Sequence, residues 1–330
     1  MSFTRRAPEI IAVLALAVWA PVAAFAQSAA QWPDRPVRLL VPVGAGGAAD
    51  TLSRNLSNGF PQFANGQPLI VENRPGAGGT LAAAAVAREK PDGYTLFLAA
   101  SSMLVPTSSR VRTPADNLKD FACISLVGSL PLVLIANPSL PVRNVRELIE
   151  LERKRPNEVN YGSSGNGSLT HLAGELFQQM TSVKMVHVPY RGINEALTDL
   201  IAGRTQLSFA GAPIALPHAK TGKVRALAVT GAVRTSSAPE LPTIAQSGLP
   251  GYDVTPWYGV VAPAAVPAPI VTKLHQDLVR TMQLADVKER WIAWGADPTY
   301  SKSPEEFAAL MRSEAAKWAK LVGQGTIKLE

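Results

Sequence analysis

Between Asn160 and His171 the chain reads Asn-Tyr-Gly-Ser-Ser-Gly-Asn-Gly-Ser-Leu-Thr-His. Ser163, Ser164, Asn166, Ser168 and Thr170 place hydrogen-bonding side chains at close spacing, and the glycines, Gly167 among them, let backbone approach a ligand. Behind them Leu169, Leu172, Ala173, Leu176, Phe177 and Met180 recur at three- and four-residue steps, which predicts a helix with one apolar face. The polar run therefore lies at a helix N-terminus. There the first backbone N–H groups lack intrahelical partners, and the aligned peptide dipoles concentrate positive charge. A carboxylate or phosphate suits such a place. The competing reading is a solvent-exposed turn in which Ser168 and its neighbours only cap the helix.

A second loop has the same character. Gly44, Ala45, Gly46 and Gly47 follow the apolar run Val37 to Val43 and precede a helix through Leu52 and Leu56, with Asp50 in its first turn. Gly44 to Ala49 also satisfies G-x-G-x-x-A, and Glu72 ends the next strand near the spacing of a ribose-binding acid. An exported dinucleotide-binding α/β enzyme is thus a rival reading. Other catalytic signatures are missing. Asn166 stands where a G-x-S-x-G nucleophile elbow needs glycine, and Gly222-Lys223 lacks the upstream glycine of a P-loop. His171, His187, His218 and His275 have no metal-ligand spacing, so neither a metal nor a cofactor is expected. Cys123 is the only cysteine, which excludes an intrachain disulfide and suggests an inert core thiol.

The elements that must hold these loops alternate. Strands are expected over Val37 to Val43, Leu69 to Glu72 and Tyr94 to Ala100, with an alanine-rich helix ending before the Pro91-Asp92-Gly93 turn. A long apolar run, Phe121 to Ala136, is broken at Gly128 and Pro131. A helix then starts at the Asn144 cap, with Glu147 three positions on, and stops at Pro156. Val159 to Gly162, Val186 to Pro189, Gln206 to Phe209, Val224 to Thr230 and Val254 to Ala262 read as strands. Helices run from Leu169, through Ala196 and Leu200, and over Ile270 to Met282, Val287 to Trp294 and Pro304 to Val322. This alternation predicts an α/β fold with parallel sheets. Trp291, Trp294, Phe307 and Trp318 are expected in the core of the last helices.

The chain has 330 residues, 47% of them hydrophobic and 17% charged, which is a globular composition of about two domains. Residues 1–26 read as a secretory signal peptide: Arg5 and Arg6, the apolar run Ile10 to Ala20, and Ala24-Phe25-Ala26 before Gln27. The general secretory route is expected, since Ala7-Pro8-Glu9 departs from a twin-arginine signal. The net charge of +7 is scattered, and only Arg153-Lys154-Arg155 is a tight run, so no nucleic-acid partner is expected.

Taken in order, Val41 to Asp50, Val71 to Gly79, Pro91-Asp-Gly-Tyr-Thr-Leu96, Asn160 to Gly167, His171 to Leu176, Val186 to Gly192 and Val224 to Thr230 resemble the Bug family. These are the periplasmic solute-binding components, of TctC type, of tripartite tricarboxylate transporters. The resemblance spans Trp32 to about Lys328. It implies a two-lobed periplasmic-binding-protein fold, type II-like, with crossovers near Phe121 to Ala136 and Val254 to Ala262. Lobe 1 would hold residues 27–128 and 253–330, and lobe 2 residues 129–252.

The resemblance further implies a monomeric, non-enzymatic periplasmic receptor for a small carboxylate, serving integral membrane permease subunits or a sensor ectodomain. A sensor working without any transporter is a further alternative. Carried onto this sequence, Gly44, Ala45, Gly46 and Gly47 would grip the ligand from one lobe, and Ser163, Ser164, Asn166, Gly167 and Ser168 from the other. Thr170 and His171 would sit beside it, unless His171 packs beneath the loop. Ser101, Ser102, Tyr190 and Arg191 are further candidates, Arg191 for a distal carboxylate. Asp50 would support its loop or hold a ligand amino group. Val43 and Ala210 replace the aromatic and polar residues frequent in the family, which implies a roomier or less polar pocket.

Overall fold

The computed structural model describes residues 32–76, 79–105 and 119–323. The expected signal peptide, the end of the chain, and Ala77 and Gly78 of the Asn73 to Gly79 loop lie outside the described residues.

Two five-stranded sheets organise the chain. The first is built from β1 (Val37–Val41), β2 (Leu69–Asn73), β3 (Thr95–Ala100), β4 (Phe121–Ser129) and β10 (Trp257–Pro263), in the order β2-β1-β3-β10-β4. The second contains β5 (Leu132–Ala136), β6 (Asn160–Ser163), β7 (Val186–Pro189), β8 (Leu207–Gly211) and β9 (Arg225–Val229), in the order β7-β6-β8-β5-β9. The helices are α1 (Ala48–Gly59), α2 (Thr80–Ala87), α3 (Val145–Lys154), α4 (Leu169–Thr181), α5 (Ile193–Ile201), α6 (Ala212–Lys220), α7 (Ala268–Gln283), α8 (Ala285–Trp294) and α9 (Pro304–Gly323). Among the described residues no helix is long and apolar enough to cross a membrane.

Local chemistry explains the helix starts. Asn144 Oδ1 accepts the Glu147 N–H at 2.9 Å while Glu147 returns a carboxylate to the Arg143 N–H, a capping box that fixes the start of α3. Ser168 caps α4 by accepting the His171 N–H at 3.2 Å. The expectation of parallel sheets needs correction. β1, β2 and β3 run parallel, as do β6, β7 and β8, but β10 is antiparallel to both β3 and β4, and β5 to both β8 and β9. The antiparallel members are the strands next to the crossings between sheets, where the chain arrives from the opposite edge.

A continuous apolar core joins the sheets, running from Leu40, Phe97 and Phe307 to Leu134, Tyr161 and Phe209, all buried. A second cluster packs α7 and α8 on the other face of the first sheet and includes Trp291. Trp291, Phe307 and Trp318 are buried as expected, while Trp294 is only half-buried. Cys123 is half-buried against the Met311 sulfur at 3.5 Å, and burial pushes its thiol up to about 11, so it is unreactive near neutrality. Glu152 on α3 is 0% exposed with neither carboxylate oxygen hydrogen-bonded; burial, then the charge of Glu158, pushes it up to about 7.

Candidate functional site

Strand direction sets two loops at the sheet edges next to the crossings. β4 leaves the first sheet at Ser129, on the edge where β1 to β3 have their C-terminal ends, and β5 enters the second at Leu132, opposite Gly211 at the C-terminal end of β8. The return crossing is tied to the outward one: Leu130 N–H donates to Pro256 O at 2.8 Å, and Thr230 Oγ1 donates to Val254 O at 2.6 Å. The C-terminal edges of both sheets therefore meet at the crossings. In open α/β sheets that edge is where ligands bind.

At the first edge lies the loop Gly44 to Gly47, between β1 and α1. Gly44, Ala45 and Gly46 are exposed. Gly46 adopts φ +82°, a left-handed conformation that glycine takes without strain. Asp50 sits beneath it, 3% exposed. One carboxylate oxygen accepts the Gly46 N–H (2.9 Å) and Arg54 Nε (3.0 Å); the other accepts Asn73 Nδ2 (2.9 Å), which also reaches Val43 O. Burial alone would raise the Asp50 pKa, but donation from Arg54, Gly46 and Asn73 holds it below the usual carboxylate value. With both oxygens engaged, Asp50 supports the loop and is not placed to hold a ligand amino group. Glu72, the ribose-binding candidate, is clamped by Arg38 through bonds of 2.6 and 2.9 Å, so the dinucleotide motif lacks its free acid.

At the second edge lies Ser163 to Ser168, between β6 and α4. Most of its hydroxyls build the loop itself. Ser168 Oγ donates to Gly165 O (2.7 Å), and Thr170 Oγ1 accepts the Ser164 N–H (2.9 Å) and lies 2.9 Å from both Ser164 Oγ and Ser168 Oγ. Each hydroxyl carries one proton. With the Ser168 proton on Gly165 O, Thr170 supplies the proton of its contact with Ser168 and Ser164 donates to Thr170, so the three hydroxyl protons are spent within the loop. Leu169 and Thr170 are the first helical residues of α4, so their N–H groups have no intrahelical acceptor. Asn166 is exposed at the loop tip. This surface can receive an anion by backbone donors and the helix dipole.

His171 lies beneath that loop, 3% exposed, with Nδ1 accepting the Gly167 N–H at 3.0 Å. Ser163 is buried too, its Oγ 2.6 Å from His187 Nε2. Tyr190 lies on the opposite face of β6 and donates its hydroxyl to Asp199 at 2.8 Å. Arg191 is exposed and has no salt bridge among the described residues, so its guanidinium remains available at the rim. Ser101 is buried at a crossing, where its Oγ accepts the Trp257 N–H at 3.1 Å; Ser102 is exposed beside it.

Sequence reasoning missed the undersides of both loops: Asn73 beneath the first, and His187, Tyr161 and Glu175 beneath the second. The histidines that looked unrelated by spacing include a stacked pair, His171 and His187, at 3.9 Å. Among the described residues no group of His, Cys, Asp and Glu could hold a metal ion. The pairing of β6 with β7 creates the stack, and no local pattern encodes it.

Residues 52–326 match the sequence profile of the tripartite tricarboxylate transporter family receptor. The chain is 34% identical to protein BugT of Bordetella pertussis over the full length of both. Its fold resembles Rpa4515 of R. palustris with adipate, at 35% identity and a TM-score of 0.74, covering 90% of this chain and 99% of that one. MatC from Rhodopseudomonas palustris with bound malate, at 30% identity, gives a TM-score of 0.69 and coverage of 88% and 100%. The two-lobed α/β architecture and these likenesses agree: the chain belongs to the tripartite tricarboxylate transporter receptor family, the TctC type that includes the Bug proteins.

Proposed function

We propose that this chain is an exported receptor that captures a small di- or tricarboxylate between its lobes, residues 27–128 with 253–330 and residues 129–252. In this reading it works in the periplasm as a monomer and presents the solute to the membrane permease subunits of a tripartite transporter. The observation that carries it is the pair of loops at facing sheet edges, each at a helix N-terminus with donors left over after the loop's own bonds are made. Relatives solved with adipate and with malate support a dicarboxylate ligand.

The state of Ser163 and His187 supports a binding role for this loop. Ser163 is 0% exposed, and burial, then the neighbouring His171, push His187 down to about 4, which makes it a poor general base near neutrality. Closure would be a hinge motion about the two crossings, with ligand contacts to both loops favouring the closed state.

The test is a thermal-shift and calorimetric screen of the purified protein against adipate, malate, citrate and monocarboxylates, with NAD as control. A ligand at about 100 times its Kd adds about 2.7 kcal/mol of stability, a shift a melting curve resolves. A carboxylate response is expected. A response to NAD alone overturns the reading in favour of a dinucleotide site at Gly44 to Gly47.

A further inference from the structure

Two imidazoles from different elements meet under the Ser163 to Ser168 loop. His171 stands on the first turn of α4 and His187 on β7, opposite Tyr161 of β6. Their rings stack at 3.9 Å and 8°, and the Tyr161 ring lies on His187 at 4.9 Å. Gly174 makes the room: a Cβ there would come within 2.4 Å of the Tyr161 ring.

Each imidazole meets the loop through one nitrogen, and the hydrogen bonds assign the protons. Nδ1 of His171 accepts the Gly167 N–H, so the neutral ring carries its proton on Nε2, which points at Glu175 Oε1 3.6 Å away. Ser163 Oγ accepts the Gly165 N–H at 3.1 Å, and its own proton has a closer acceptor in His187 Nε2 (2.6 Å) than in Gly165 O (3.3 Å). Glu175 also accepts from Tyr161 (2.6 Å) and Gln178 (2.8 Å), which fixes the carboxylate beneath His171.

We propose that His171 and His187 are positioning residues for carboxylate binding: the stacked pair holds the Gly167 peptide, through His171 Nδ1, and the Ser163 hydroxyl that receives the Gly165 N–H, through His187 Nε2, in the anion-receiving conformation. The inference rests on the carboxylate reading only for its ligand readout. Without an acceptor at 171 the Gly167 N–H loses its partner, and without one at 187 the Ser163 hydroxyl loses its shorter contact.

Burial, then His171, push His187 from the ordinary 6.5 to about 4, so the folded state favours the neutral ring. The unfolded chain therefore binds more protons across this window, and the stability tied to His187 is lost as pH falls through it. Burial acts to raise Glu175, but donation from His171 and Tyr161 holds it below the usual carboxylate value. The other titratable groups around the pair are phenols. Tyr161 is pushed up by burial and Glu175; Tyr252, which donates to Ala173 O, is pushed up by burial. Across β6, Tyr190 donates to Asp199, which also accepts from Arg204.

Asn at 171 offers Oδ1 where Nδ1 stood, and Gln at 187 offers Oε1 where Nε2 stood, without an imidazole to titrate. The experiment compares wild type, His171→Asn/His187→Gln and His171→Leu by adipate affinity at about pH 7, and by amide exchange at Gly167 without ligand. Glu152 gives global stability a pH dependence of opposite sign, lost as pH rises toward about 7, so affinity and local exchange are read instead of melting.

The double variant, which keeps an acceptor at each position, is expected to keep wild-type affinity within about threefold. His171→Leu is expected to weaken adipate about tenfold and to speed Gly167 exchange by a similar factor. A double variant that binds adipate as weakly as His171→Leu, or Gly167 exchange unchanged in His171→Leu, overturns the proposal. If adipate binds no variant, the carboxylate reading falls, and Gly167 exchange together with the ring-nitrogen shifts of His171 and His187 decides this inference alone.

Discussion

Beneath the Gly44 to Gly47 loop lies a carboxylate; beneath the Ser163 to Ser168 loop lie two imidazoles. Both supports do the same mechanical task, since Asp50 accepts the Gly46 N–H and His171 accepts the Gly167 N–H. Electrostatically they differ. A carboxylate in the first turn of α1 draws on the same helix-terminal charge that an anionic ligand would use, and the partly exposed Arg54 restores it only in part. The first turn of α4 has no acidic residue, so its dipole is left to the ligand. The comparison teaches a division of roles: the first loop should matter more to stability, and the second more to anion affinity.

The sharpest way to break that division is Asp50→Ala. It removes the acceptor for Gly46, Arg54 and Asn73 at once, and the expected loss is about 2–4 kcal/mol of stability by chemical denaturation. Because the folded pKa of Asp50 lies below the ordinary 3.8, its contribution is present above that pH and lost as pH falls below it. A denaturation midpoint for Asp50→Ala that tracks wild type at neutral pH would contradict the assignment.

Next in size is Ser164→Ala combined with Ser168→Ala. The expected outcome is adipate affinity weaker by about tenfold or more, with only about 1 kcal/mol of stability lost through the helix cap. Unchanged affinity in calorimetry would remove this loop from the site. The smallest effect is expected from Gly46→Ala. Nothing lies within 4 Å of the new Cβ, so the variant carries only the left-handed backbone penalty of about 1 kcal/mol. An affinity change larger than that of the serine pair would reverse the comparison.

Much of the scaffold was legible because it rests on short-range chemistry. The Asn144 and Ser168 caps, the apolar spacing of α4 and the glycine-rich loops after β1 and β6 depend on neighbours within a few residues, and each appears where the sequence puts it. One helix was missed. Residues Ala212 to Lys220 carry Pro213 and Pro217, which read as breakers; Pro213 falls in the first turn, where no N–H is needed, and Pro217 is accommodated inside α6. Helix propensity gave way there to packing on β5, β8 and β9.

The amino-acid order alone therefore determined the alternation of strands and helices, the two anion-ready helix starts and the family likeness, since these follow from local hydrogen bonding and apolar periodicity. Tertiary structure decided the antiparallel strands at the crossings, the removal of Glu72 from a ribose-binding role by Arg38, and the meeting of His171 with His187. Those outcomes depend on which strand lies beside which. That pairing is set by burial summed over the whole core, so the residues whose side chains meet across it carry no mark of it in their local spacing.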